Sequence, residues 1–211
     1  PALTTAQVQA LSSASISSLS ATQVAVLESG QLRAIGTAEF AAMKTTQITA
    51  LTSTQIPALL TSTIVALTTA QGASLTSAQV DALTSQQLRA IETVDIAVLR
   101  SAQIAALTTA DISILLNGQV EALTTAQIPM LSTAQIAALS TEQLNQFSTA
   151  DLRAITPTQV AGLTTAQIAS LSVPDEVSLL TTSQIVAFNA AQLAALGTGG
   201  VGALKIGRAH V

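Results

Sequence analysis

The chain has no cysteine, no tryptophan and no tyrosine, and three phenylalanines make up its whole aromatic content. Without thiols there is neither a disulfide framework nor a thiolate metal site. Charge is almost as scarce. Of 211 residues only 9% are charged, with seven Lys and Arg against eleven Asp and Glu, a formal net charge of −4. Coating a phosphate backbone takes one cation per neutralised phosphate, so no nucleic-acid partner is expected. Long apolar runs are missing too. The mean hydropathy is +0.56, yet Ser, Thr and Gln break up stretches such as residues 104–107 long before the ~18 residues that a membrane span needs. No span is expected.

The absences extend to chemistry. The one histidine, His210, sits next to the last residue. There is no nucleophile with a base, no carboxylate pair at a fixed spacing and no glycine-rich phosphate loop. The expectation is a protein that is not an enzyme, with no catalytic, cofactor-binding or metal-ligating residues and no cofactor. A calcium site needs several carboxylates converging on one ion, and here the acids sit singly in scattered places, as at Asp95, Asp111, Asp151 and Asp175.

What the chain does contain is repetition. An eight-residue unit, L-[ST]-[ST]-A-Q-[IV]-x-A, runs head to tail from Leu3 to Leu171 without a slip. One nine-residue unit at 171–179 then shifts the frame to Leu180, Phe188 and Leu196. That makes 25 units, read as a single array over residues 1–204 and implying a solenoid. Position one is always large and apolar. In the eight-residue units position six is Val, Ile, Leu or Phe except at Gly72, where an isoleucine is expected to stabilise the array if space has been left. These two columns are the expected core. Positions four and eight are mostly small, as in Ala102 and Ala106, suggesting close backbone approach; position seven, with Arg33, Asp81, Arg89, Glu121, Asn145 and Arg153, reads as solvent-facing.

Three backbones compete for a period of eight. In one continuous α-helix, eight residues overshoot two turns by about 80°, so the leucines spiral and form no stripe. In an unbroken strand, positions one and six face opposite ways, in a sequence rich in strand-poor Ala and Gln. A bent β-solenoid is therefore the alternative to one short helix per unit. Positions two to five decide for the helix. They spell S/T-x-x-Q, as in Thr124-Thr125-Ala126-Gln127, a capping box, with Leu123 and Ile128 placed for a hydrophobic staple. Position two lacks a capping residue at Glu28, Lys44, Leu60, Glu92, Arg100 and Leu116, and Ser29, Thr45, Thr61, Thr93, Ser101 or Asn117 follows. The cap is expected to move one place along in those units. Where position three fails, at Ala21, Pro157, Val173 and Ala190, position two supplies the cap, and Pro157 fits the first helical position. Pro57 and Pro129 at position seven limit each helix to little more than a turn, partly 3₁₀. The fold class is thus all-α, a superhelix of short capped helices with three or four units per turn.

A longer record overlies the octads. Gln31-Leu32-Arg33-Ala34-Ile35 recurs at 87–91 and, with Asp for Gln, at 151–155. Each is followed four units later by a leucine pair, at 59–60, 115–116 and 179–180. With spacings of seven and then eight units, the block reads as duplication history. Two further readings concern possible ligands. Gln at position five could present a polar ladder to glycan or peptide or simply close the cap, and Arg33, Arg89 and Arg153 could mark a recurrent anionic contact.

Runs such as Leu163-Thr164-Thr165-Ala166-Gln167-Ile168-Ala169-Ser170-Leu171 resemble the L-T-T-x-Q-I-A-A-L tracts of very large bacterial surface or secreted proteins, often described as adhesion or haem-utilisation proteins. No His, Met or Tyr recurs in the octads, so no haem ligand is carried over. The resemblance implies an extracellular or cell-surface setting and a rod or spacer segment of a larger protein. The alternative is a module presenting Thr and Gln to glycan or ice; partners would be a protein or glycan surface. The chain opens at Pro1 inside a repeat already in register, which reads as a fragment boundary. Residues 206–211, within the tail 205–211, resemble a translated sequencing adapter, which makes them foreign and the source an environmental assembly.

Overall fold

The computed structural model describes residues 3–171, 179–198, 200 and 202. Among these residues every regular element is a helix and there is no strand. The all-α solenoid holds and the β-solenoid does not. Each octad from Leu3 to Ser170, and each of the two that start at Leu180 and Phe188, forms one helix: an α-helix of four to six residues, or a 3₁₀ turn of three. Helices this short are unstable alone, so their ends and their packing must hold them.

The start of each helix follows from positions two and five. Ser132 is extended at φ −69°, ψ 160°, and its hydroxyl accepts from the Gln135 N–H while the Gln135 side chain accepts from the Ser132 N–H. The same reciprocal pair closes at Thr4, Ser20, Thr68, Thr76, Thr84, Ser140, Thr156, Thr164 and Thr181. The stop lies at position one. Leu139 is extended at φ −61°, ψ 135° and Ser140 likewise at φ −66°, ψ 163°, so two extended residues bend the chain before the next cap. Pro57 and Pro129 shorten their helices to the 3₁₀ turns Ile56–Ala58 and Ile128–Met130, because each removes an intrahelical donor. Pro157 opens the helix Pro157–Gly162.

One capping expectation is overturned. At Glu28, Lys44, Leu60, Glu92, Arg100 and Leu116 the cap does not move to the next residue; position two remains the extended N-cap, with no side-chain bond from it. In four of these the glutamine compensates. Gln31, Gln47, Gln103 and Gln119 each accept the N-cap N–H at 2.6 to 3.0 Å. Moving the cap would shift the frame of the helix and turn both core side chains away, so backbone register outweighs a hydroxyl bond. It follows that Thr133 will not take over from Ser132. Ser132→Ala is expected to cost about 1 kcal/mol and to add simply to Thr133→Ala in a double-mutant cycle. Strong coupling between the two in urea unfolding would show that the cap can migrate after all.

The backbone folds into two compact segments, Pro1–Leu107 and Thr108–Val211. In the first, Thr5–Gln9 packs on Ser29–Ala34, Ser13–Ser18 on Thr37–Ala41, and Ser77–Asp81 on Ser101–Ala106. In the second, Thr109–Ile114 packs on Thr133–Ala138, Thr133–Ala138 on Pro157–Gly162, and Thr165–Ser170 on Ala190–Ala195. Each contact joins helices three octads apart, and polar side chains reach back as far as 31 or 32 residues. A turn of the coil therefore takes between three and four octads. Inside run positions one and six, as in Leu83, Leu88, Leu139 and Leu144. Position five is a third buried column, unforeseen from the sequence. Position four is not a site of backbone approach: Ala78 and Ala102 are exposed, while position eight is half-buried, as at Ala82 and Ala106.

Candidate functional site

The glutamine column is the most organised polar feature of the molecule. Gln79 is 2% exposed. Its Oε1 accepts from the Thr76 N–H at 2.8 Å, and its Nε2 donates to the carbonyls of Ile48 at 2.7 Å and Leu51 at 2.6 Å. One amide thus caps its own helix and ties it to the end of a helix one turn earlier. The arrangement repeats at Gln47 on Ile16 and Leu19, and at Gln87 on Ile56 and Leu59. In the second segment it recurs at Gln159 on Ile128 and Leu131, and at Gln167 on Ile136 and Leu139. An amide is the one neutral group that can supply both an acceptor and two donors here. The position-one carbonyl lies in the extended link between helices, where no intrahelical donor reaches it; the ladder meets that need.

Reach confirms the register through the nine-residue unit. Before it, the glutamine bonds lie 28 and 31 residues back; at Gln184 and Gln192 they lie 29 and 32 back. The ladder bonds are made again on the far side of the extra residue. Residues 172–178, including Val173 and Asp175, lie outside the described residues, as does the tail with His210.

Acids in this column find hydroxyl donors. Asp111 accepts from the Thr108 N–H and hydroxyl. Asp151 accepts from Ser148 N–H and hydroxyl and from the Thr125 hydroxyl, 26 residues earlier. Glu39 accepts from Ser13, again 26 residues earlier. Asp95 is the exception, buried with no hydrogen-bond partner on either oxygen. At Gly72 a Cβ would sit in ordinary van der Waals contact with Asp95 Cβ and Cγ at 3.5 Å, so the backbone admits a side chain there and the outer atoms of an isoleucine would have to pack beside the Asp95 side chain.

Two of the three recurring arginines have structural work. Arg33 Nε donates to the Ala58 carbonyl at 3.0 Å and Arg153 Nε to the Leu179 carbonyl at 2.9 Å. One acceptor directly precedes the leucine pair 59–60 and the other opens the pair 179–180, so in these two copies the longer block unites residues that touch across one turn. Its parts are contact partners, a reason for keeping them together beyond duplication. Arg33 and Leu60 border one groove, and Thr61, Ser85, Gln86 and Arg89 line its continuation. Leu3, Leu19, Gln23, Val26 and Leu27 line a second hollow at the first turn. Neither pairs a nucleophile with a base. Among the described residues no group of three or more His, Cys, Asp or Glu is placed to hold a metal ion, and no helix is long and apolar enough to cross a membrane.

Capped helices of one octad each, stacked turn on turn through a buried amide ladder, define an all-α tandem-repeat protein. Its family follows from the same octads. The model of the ALTTAQ repeat matches residues 24–62, 88–125, 117–149 and 144–179, more than half of the chain, and the chain belongs to that repeat family. No curated protein matches it.

Proposed function

We propose that the chain is a structural repeat segment, a non-enzymatic spacer within a larger surface or secreted bacterial protein. The observation that carries this reading is the commitment of the glutamines. Every buried ladder amide described above is bonded at both ends to backbone, so the most regular polar column serves the fold and offers nothing to a glycan or an ice lattice. Hydroxyls at position two are likewise engaged in caps. The outward positions vary freely among Ala, Ser, Gln, Arg, Asp and Glu, as a surface without a fixed ligand does. A solenoid adds turns without redesign, because each octad contacts only nearby turns; distance set by octad number is what such a construction supplies.

The test is insertion. Seven further octads, placed between octads of the first segment, should leave helical circular dichroism per residue unchanged and increase the distance between labels flanking the insertion. The unaltered chain should be silent on a glycan array and in ice-affinity partitioning. Specific retention in either assay would reject the pure spacer and favour a ligand-presenting module.

A further inference from the structure

We propose that Asp95 is a proton-binding site that couples the stacking of the octad 91–98 on the turn before it to pH. Asp95 occupies the ladder column, in which glutamines elsewhere in the segment donate to carbonyls 28 and 31 residues back. For Asp95 those carbonyls belong to Leu67 and Ile64. An ionised carboxylate has no donor to give them, whereas a protonated one has a single O–H. The side chain is 2% exposed and both of its oxygens are without a partner. A buried charge in that state is among the costliest groups a fold can hold.

Its neighbours explain why this acid differs from the others. Asp151 and Asp111 have Ser148 and Thr108 as N-caps, each donating a hydroxyl to the carboxylate. The N-cap before Asp95 is Glu92, which brings a like charge in place of a donor. The helix packed against this one is Thr69–Gly72, which contains no titratable side chain. Its Thr69 stands 26 residues before Asp95, as Thr125 does before Asp151, and its hydroxyl is the neighbouring group that favours the charged carboxylate. Burial pushes the Asp95 carboxyl above its ordinary range; the Thr69 hydroxyl works against this, and the Glu92 charge adds to it. The sign follows from linkage. With the folded-state value raised above the unfolded one, the native chain holds the extra proton. The stabilisation is full below the ordinary carboxylate range and is lost as pH rises through the raised value. Acid tightens this turn, and neutral to alkaline pH loosens it.

The experiment follows the side-chain carboxyl carbon of Asp95 by NMR in the full chain, together with thermal unfolding between about pH 5 and about pH 8, above the ordinary carboxylate range. Asp95 is expected to titrate above the ordinary carboxylate range. Asp95→Gln should raise the thermal midpoint most at the alkaline end and flatten its pH dependence. Glu92→Thr, which replaces the like charge by a hydroxyl, should move the Asp95 titration downward while the fold persists. An Asp95 titration within the ordinary carboxylate range would overturn the proposal. So would an Asp95→Gln variant whose midpoint follows pH as the unaltered chain does.

Discussion

Gln79→Ala is expected to destabilise its turn by about 3 to 5 kcal/mol, far more than truncation of a polar side chain on a surface would. The substitution removes the amide that serves the Thr76 N–H, the Ile48 carbonyl and the Leu51 carbonyl. The Ile48 carbonyl keeps one bond, from the Leu51 N–H, but the other two groups lose the bonds just named. Each buried polar group left unsatisfied costs roughly 1 to 3 kcal/mol, and the void adds a packing loss. Gln86→Ala is the control, one octad on and at exposed position four, with an expected change under about 0.5 kcal/mol. Gln79→Glu separates the two ends of the amide. A glutamate can still accept from Thr76, yet it turns acceptors toward two carbonyls. The loss should match the alanine variant near neutral pH and shrink on acidification, as the carboxyl regains one donor. Urea unfolding of the full chain gives the magnitudes, and amide exchange at residues 43–51 and 75–82 shows where protection is lost. Equal, small effects at Gln79 and Gln86 would mean that apolar packing alone holds the turns together.

How far these features could be read in advance depends on the range over which their causes act. Helix, cap and staple are local: Thr76, Gln79 and Val80 specify them within five residues, and most of the 25 octads state them again. The position-seven prolines are local too, and the 3₁₀ turns at Pro57 and Pro129 appear where the missing donors put them. The second role of the glutamine is different. It depends on a carbonyl about 28 residues away, and no octad taken alone shows that the Leu51 carbonyl needs a donor from Gln79. A signal was nevertheless present. Position five is held to Gln almost as strictly as position one is held to Leu, more strictly than a cap closure on an exposed helix end requires. Position-seven arginine misled for the same reason: Arg33 is exposed and free to vary as far as its own octad is concerned, while its bond to Ala58 lies 25 residues on. The repeated leucine pair was the trace of that contact.

Phe40→Ala is expected to cost about 3 to 5 kcal/mol, the range for emptying a fully buried aromatic site, and the loss should stay local. Phe40 is 0% exposed and fills the position-six column where other octads place Ile, Leu or Val. Its helix, Thr37–Ala41, packs on Ser13–Ser18 on one side and on Thr61–Val65 on the other. Its carbonyl also accepts from Gln71 Nε2 at 3.0 Å, so backbone movement around the cavity would strain the ladder one turn later. Phe40→Leu keeps most of the volume and should cost only about 1 kcal/mol. In a globular core such a cavity lowers the stability of the whole, but in a stack of turns each octad answers mainly to its neighbours. Amide exchange should therefore accelerate first in residues 13–18, 37–43 and 61–65, with the segment Thr108–Val211 keeping its protection. A uniform loss of protection along the chain would mean that the octads fold as one cooperative body, and the addition of turns without redesign, on which the spacer reading rests, would fall with it.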